Sequence, residues 1–168
     1  MPSSSFVHLR LHSEYSLVDG LISINPLVDR ALELSMPAVA LTDITNFFGL
    51  IKFYQASHKA GLKPIFGSDI YIKSSISDIP SYDLTLLIMN MTGYRNLTKL
   101  ISRAYQDGQN RGTPMVDIDW IKESSDGLIA LCGRKSDIGK AISAGNNPQA
   151  ESFLQKWIEI FPDRFYLE

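Results

Sequence analysis

The sequence predicts an α/β fold in which a largely parallel sheet or barrel is covered by helices. Short apolar runs of strand length alternate along the chain with stretches whose apolar residues recur at helical spacing. Residues typical of helix ends stand between them, such as Asn25 with Pro26 before one helical pattern and Gly61 after the next. Repeated strand–helix alternation is the pattern of parallel strands with helices on the outside.

The first half of the chain predicts alternating elements. In order they are a strand over residues 6–9, a helix over 25–34, a strand over 38–41, a helix over 47–60 and a strand over 65–72. The strands are apolar runs, and Leu27, Val28 and Ala31 form one face of the first helix. Gly61 is placed to end the second helix because glycine readily adopts the left-handed conformation of a helix terminus.

The second half continues the alternation. In order it predicts a strand over residues 84–89, a helix over 92–106, a strand over 127–131, helices over 136–144 and 148–161, and a strand over 164–167. Thr92 is the expected cap of the first of these helices. Residues 73–81 and 107–114 are rich in Ser, Gly, Pro and Asp, which indicates surface loops within one domain.

Size and composition narrow the class of protein. The chain has 168 residues, 45% of them hydrophobic, which suffices for one sizeable core and a single domain. The net charge of −2 and the pI of about 5.9 do not indicate a basic surface for nucleic acid. Cys132 is the single cysteine, so no internal disulfide forms, and no signal peptide is evident. We expect a cytoplasmic protein without a membrane role, since no apolar run approaches about 20 residues.

The segment FVHLRLHSEYSLVDG, residues 6–20, has the pattern of a metal-ligand loop with a cation in place of one ligand. His8 and His12 flank Arg10, and all three would share one face if the segment were extended. Neutral imidazole binds Zn or Mn, whereas a guanidinium has no available lone pair and repels a divalent ion. The loop therefore has the spacing of a metal site and the wrong charge for one.

Four segments in order resemble one known family. They are FVHLRLHSEYSLVDG, PAVALTDITNFFGLIKFYQASHKAGLKPIFGSDIYI, LTLLIMNMTGYRNLTKLIS and DGLIALCG, and they resemble the PHP domain at the N-terminus of the bacterial DNA polymerase III alpha subunit. The resemblance implies a distorted, TIM-like seven-stranded βα barrel, truncated before its end or completed by few residues. It makes residues 1–168 a PHP domain fragment, with the polymerase palm, thumb and fingers, and the nucleotide-adding aspartates, beyond residue 168.

The resemblance also locates the positions of a metal site that has lost its ligands. Members that keep the site read His-x-His, Thr-Asp-His-Gly, Gly-x-Glu, a further histidine and a cysteine. The corresponding positions here are Arg10 with His12, Asp43 with Ile44, Asp69, Asp83 and Arg134. We expect a vestigial site with no catalytic residue, no metal and no cofactor in this fragment. In this hypothesis Arg10 and Arg134 replace the charge of the metals and pair with the aspartates.

Two of these residues also have a purely structural interpretation. His12 is expected to be a hydrogen-bonded histidine of the core rather than a working ligand. Asp43 follows a strand between Thr42 and Thr45, where a carboxylate is well placed for a polar network. We therefore predict a structural network at Asp43 rather than catalysis.

The resemblance implies a noncatalytic module in DNA replication. The domain would support the replicative polymerase and dock the separate proofreading exonuclease (epsilon) subunit. The remainder of the alpha subunit would be its other partner, and DNA would be bound through the full-length polymerase. The parent would be a DNA-directed DNA polymerase, a nucleotidyltransferase, while this fragment alone would be inactive.

The alternatives are a metal-dependent phosphoesterase or 3′–5′ exonuclease and, less compatible with the long match, a sugar-phosphate phosphatase. Docking residues and oligomeric state do not follow from the sequence.

Overall fold

A computed structural model describes residues 6–17, 19–74 and 81–168, and the chain divides into two compact units, Met1–Ser68 and Asp69–Glu168. The elements of the first unit are a short 3-10 helix (Glu14–Ser16), α1 (Ile24–Glu33), β1 (Ala38–Leu41), α2 (Leu50–Ala60) and the start of β2 (Lys63–Lys73). Those that follow are β3 (Ser81–Ile88), α3 (Met91–Gln106), β4 (Gln109–Asn110), β5 (Thr113–Val116), α4 (Ile118–Glu123), β6 (Leu128–Cys132), α5 (Asp137–Ser143), α6 (Asn147–Ile160) and β7 (Phe165–Leu167).

The first unit packs α1 and α2 with a parallel strand pair. β1 runs parallel to the start of β2, with Ala38 opposite Lys63 and Leu41 opposite Phe66. All four residues of β1 are buried, as expected for a parallel strand covered on both faces. The core cluster consists of Ile24, Leu27, Val28, Ala31, Val39, Leu41, Phe53 and Leu62. Burial of each large aliphatic side chain stabilises the fold by about 1.5–3 kcal/mol, so this cluster fixes the loops at the ends of β1 and α2.

The second unit is built on a mixed sheet. Its strand order is β4-β5-β2-β3-β6-β7, and with β1 beside β2 the described residues contain seven strands. β2 is parallel to β5 and β6 is parallel to β7, whereas β3 is antiparallel to β6 and β4 is antiparallel to β5. The α/β class is confirmed. The pairs β1–β2, β2–β5 and β6–β7 are parallel as expected, whereas β3 and β4 each have an antiparallel neighbour.

Close backbone contact sets the position of α3 in the second unit. Asn90 caps the helix by accepting a hydrogen bond from the backbone N–H of Gly93 at 3.1 Å. A Cβ at Gly93 would collide with the carbonyl oxygen of Gly127, so only glycine allows this approach. The start of α3 is thereby held against the turn that precedes β6.

The structure corrects the predicted strand over residues 6–9. The segment lies beside β1, where the N–H of Ala40 donates to His8 O and the N–H of Thr42 donates to Leu11 O. The two acceptor residues, His8 and Leu11, are three positions apart, whereas the two donor residues, Ala40 and Thr42, are two positions apart. This mismatch prevents a regular parallel ladder. The N–H of Leu11 donates to the side chain of Thr42 instead of to a strand.

Helix starts were predicted less accurately than helix ends. α1 begins after Ser23 rather than at an Asn25 cap, and α2 begins at Leu50 rather than at residue 47. Asn90, not Thr92, caps α3, since its extended backbone lets the side chain reach back to the first turn. Gly61 ends α2 in the left-handed conformation, with φ of 72°, as predicted.

The predicted loop over residues 107–114 contains secondary structure. β4 and the start of β5 form a hairpin there, and Arg111 and Gly112 at its turn both have positive φ. Helix α4 follows, with Asp117 as its cap, and its short length left no clear periodic pattern. Of the other predicted loop, residues 75–80 lie outside the described part of the chain.

Candidate functional site

The carboxylate of Asp43 is the centre of a buried hydrogen-bond network in the first unit. Asp43 follows β1 and is 2% exposed. It accepts hydrogen bonds from the backbone N–H of Ser13 at 2.6 Å, from Ser13 Oγ at 2.8 Å and from Ser16 Oγ at 2.7 Å. These bonds satisfy a buried carboxylate with fixed donors. The predicted polar network at Asp43 is therefore present, with serines as its donors.

Local structure positions those serines. Ser13 caps the 3-10 helix, its Oγ accepting from the N–H of Tyr15, and Ser16 is the last residue of that helix. Ser16 Oγ also accepts from the N–H of Ile44 at 3.1 Å. Asn46 Nδ2 donates to the carbonyl oxygen of Tyr15 at 3.0 Å. The loop after β1 and the loop that carries the 3-10 helix are thus joined by side chains at several points.

The two histidines of the first loop do not form a pair of ligands facing one site. His8 is exposed, and its ring lies edge-on to Phe6 with 4.7 Å between ring centroids. His12 Nδ1 lies 3.0 Å from Asp19 Oδ2, and its side chain is 14% exposed. The segment is not a regular strand, so the common face of His8, Arg10 and His12 that a strand would give stays a prediction. His12 is hydrogen-bonded, as its structural interpretation predicted.

The other positions of the vestigial site are distributed over several elements. Asp69 lies buried in β2 and accepts a hydrogen bond from Thr85 Oγ1. Asp83 lies in β3, where its backbone N–H donates to the carbonyl oxygen of Lys135. Arg134 follows β6, is exposed and lines a cavity of about 330 Å³. The pairing of Arg10 and Arg134 with aspartates stays a prediction.

The donor set does not fit a multinuclear metal centre of the kind that the resemblance implies. Such a centre needs several neutral or anionic donors that converge on each ion. Ile44 has no donor atom, and the guanidinium groups of Arg10 and Arg134 cannot ligate a cation. Both oxygens of Asp43 already accept hydrogen bonds from serines. Within residues 6–17, 19–74 and 81–168, no group of three or more His, Cys, Asp or Glu side chains could hold a metal ion.

Sequence reasoning missed the serine donors and a buried polar cluster in the second unit. The signal for the serines is their position in HSEYS, where serine readily caps a short helix. In the second unit, Trp157 Nε1 donates to both oxygens of the buried Asp137, at 2.9 and 3.2 Å. Burial raises the pKa of Asp137, and it raises the pKa of Cys132 to about 11. Cys132 is thus an unreactive packing residue.

Comparison with known proteins gives a consistent assignment. A family model described as the PHP domain matches residues 8–168. The chain is 51% identical over 165 residues to DNA polymerase III subunit alpha of Pseudomonas aeruginosa, an alignment that covers 98% of this chain and 14% of that protein. It is 47% identical over 169 residues to the same subunit of Escherichia coli, with 100% of this chain and 15% of that protein covered. The chain thus spans about one seventh of the length of these relatives.

A solved structure supports the fold at low sequence identity. It is a crystal structure of a candidate metal-dependent phosphoesterase from Bifidobacterium adolescentis, with a TM-score of 0.56 and 12% identity. The match covers 76% of this chain and 66% of that protein, and it concerns the fold alone. Among the described residues, no helix is long and apolar enough to cross a membrane.

Proposed function

Because this chain belongs to the PHP domain family and matches the N-terminal region of DNA polymerase III subunit alpha, we propose that it is a noncatalytic PHP domain of a replicative polymerase. Its role is to support the rest of that subunit and to dock a separate proofreading exonuclease subunit. The polymerase chemistry belongs to the remainder of the subunit, because the chain spans only 14–15% of its relatives. The domain requires no metal or other cofactor.

The state of Asp43 is the observation that carries this proposal. The two oxygens of a carboxylate offer about four acceptor positions. In Asp43, hydrogen bonds from Ser13 and Ser16 take three of them. The neighbouring Ile44 adds no donor. A position that ligates metal in members with an intact site therefore serves here to hold two loops together. A fold maintained without its metal chemistry is consistent with a role in binding other proteins.

The first unit exposes apolar side chains that provide a candidate docking surface. Phe48 is 67% exposed and Ile51 is 62% exposed, around the first turn of α2. Lys52, in the same turn, forms an ion pair with Glu14, with 3.7 Å between Nζ and Oε1. The N–H of Glu14 donates to the carbonyl oxygen of Ile22, so the neighbouring Leu21, which is 98% exposed, belongs to the loop beside this turn. Neighbouring exposed apolar side chains mark interaction surfaces, whereas isolated ones do not. We define Leu21, Phe48 and Ile51 as the α2 patch.

A calorimetric titration with the proofreading exonuclease subunit tests this function. The 168-residue chain is expected to bind that subunit, and Phe48→Ser with Ile51→Ser is expected to weaken binding. Ile142→Ser is the matched control, because Ile142 is 56% exposed in the second unit. No binding to the chain, under conditions where a full-length alpha subunit binds, would refute the docking role. Equal weakening by the control would refute the α2 patch.

The competing function is a metal-dependent phosphoesterase or 3′–5′ exonuclease. His12, Asp43 and Asp69 keep donor types that such a site uses. That function requires tightly bound metal, so the metal content of the purified chain separates the two proposals.

A further inference from the structure

A second cavity lies in the second unit, and none of its lining residues is a position of the vestigial site. Its volume is about 350 Å³, and it lies at the carboxyl ends of β2 and β5, which are parallel neighbours. Lys73 is the last residue of β2, and Asp117 directly follows β5. Ligands of α/β proteins bind outside the carboxyl ends of parallel strands, and this volume is in the range of small-molecule sites. The lining residues are Lys73, Asp107, Gly108, Gln109, Asn110, Met115, Asp117 and Trp120.

We name this the Trp120 cavity, after its aromatic wall. The Arg103 guanidinium lies 4.0 Å from the centroid of the Trp120 ring, a cation–π contact. Ion pairs hold Arg103 in place, with Glu123 at 3.4 Å and Asp107 at 3.9 Å. The contact with Arg103 therefore holds the Trp120 ring in a fixed orientation without a ligand. An indole ring held in a fixed orientation is a surface on which a planar nucleobase can stack.

The polar lining combines acceptors with one cation. Asp117 Oδ1 accepts a hydrogen bond from the N–H of Asp119, and among the described residues Oδ2 has no hydrogen-bond donor. A carboxylate oxygen accepts hydrogen bonds from vicinal hydroxyls, as acidic residues do with the ribose in nucleotide sites. Lys73 places an ammonium in the same cavity, which suits a phosphate oxygen. The amides of Gln109 and Asn110 supply donors and acceptors for a base edge.

We propose that the Trp120 cavity binds a ribonucleoside 5′-monophosphate unit. The base stacks on Trp120, the ribose hydroxyls donate to Asp117, and the phosphate accepts from Lys73. Asp107 and Asp117 would also suit a cationic side chain of a partner protein, so that occupant is tested as a competing outcome below. The unit comes from a free nucleotide or from the end of an RNA strand, and the experiment separates these sources.

The two tryptophans of the chain make the test site-specific. Trp157 is fully buried with its Nε1–H bonded to Asp137, whereas Trp120 is half-buried at the cavity. A ¹H–¹⁵N correlation spectrum shows one indole signal for each. Adenosine 5′-monophosphate is expected to shift the Trp120 signal saturably and to leave the Trp157 signal in place. The 2′-deoxy analogue is expected to bind roughly tenfold more weakly, since one hydroxyl donor is lost.

Conservative substitutions test which side chain contacts the ribose and which contacts the phosphate. Asp117→Ser keeps a helix cap and removes the carboxylate, so it is expected to abolish the preference for ribose. Lys73→Gln is expected to weaken binding of the monophosphate and to leave adenosine unaffected. Lys59→Gln, which removes an exposed lysine of α2, is the matched control and is expected to change nothing.

Several outcomes would overturn the proposal. One is that adenosine 5′-monophosphate causes no saturable shift of the Trp120 signal. Another is that the ribose and deoxyribose forms bind equally well. The third is that N-acetylarginine amide shifts the Trp120 signal to saturation and the nucleotide does not. A short RNA that binds far more tightly than the monophosphate would identify the strand end as the source. Similar affinities would identify the free nucleotide.

Discussion

Replacing Asp43 by alanine is expected to lower the free energy of unfolding by about 3–5 kcal/mol. Asp43 is 2% exposed and accepts three hydrogen bonds, two from Ser13 and one from Ser16. A hydrogen bond to a charged group contributes about 1.5–3 kcal/mol, and the losses add incompletely because the donors share one acceptor group. Alanine also leaves the buried Ser13 and Ser16 without that acceptor, which costs further free energy.

Urea unfolding followed by far-ultraviolet circular dichroism measures this change. Asp29→Ala is the control, because Asp29 is exposed on α1 and its loss is expected to stay within about 0.5 kcal/mol. Ser16→Ala is expected to cost about 2–3 kcal/mol, because it removes one donor to Asp43 and the acceptor of the Ile44 N–H. If Asp43→Ala does not fold, Asp43→Asn gives the comparison, since the amide keeps one acceptor. A cost below about 1 kcal/mol for Asp43→Ala would refute the network as a structural element.

Further predictions concern the second unit and the glycines. Burial raises the pKa of Asp137 above its ordinary value of 3.8, so the charged form opposes folding above the raised pKa. This cost declines as the pH falls below the raised pKa and is gone below 3.8. Asp137→Asn is expected to stabilise the chain near neutral pH, with a gain that shrinks as the pH falls toward 3.8, whereas Glu151→Gln on the surface shows no such trend in urea unfolding. A gain that is constant with pH would contradict the titration of Asp137. Gly93→Ala is expected to cost about 3 kcal/mol in the same assay because its Cβ collides with backbone. Gly61→Ala is expected to cost only about 1 kcal/mol, since its surroundings are open and only its φ of 72° is unfavourable. Equal costs at the two glycines would show that steric contact at Gly93 is relieved by movement.

Local signals explain which parts of the fold the sequence predicts. Gly61 ends α2 as expected because a helix terminus in the left-handed conformation depends on one residue. The strand over residues 38–41 was predicted because four consecutive apolar residues suit a position buried on both faces. The predicted strand over residues 6–9 was wrong because strand formation depends on the register with a distant partner. The hairpin of β4 and β5 was missed because its strands are too short to show alternation.

The candidate site was also only partly predictable from the sequence. A polar network at Asp43 was predictable from a carboxylate that follows a buried strand. Its donors were not, since Ser16 and Asp43 are 27 residues apart and meet only through the tertiary fold. The burial that raises the pKa of Asp137 likewise arises only in the folded chain, as does the opposing hydrogen bond from Trp157, 20 residues away. Residue identity therefore indicated where a polar network would lie, and the structure identifies its hydrogen-bond partners.

The metal content of the purified chain tests the central claim most directly. Elemental analysis after purification without chelators is expected to find no stoichiometric Zn, Mn or Fe, because Arg10, Ile44 and Arg134 supply no ligand and serines occupy Asp43. Titration with Zn or Mn is expected to leave the unfolding temperature unchanged, since an ion that binds only the folded state would raise it. About two or more tightly held ions per chain, with a matching rise in unfolding temperature, would contradict the noncatalytic assignment and favour a metal-dependent phosphoesterase.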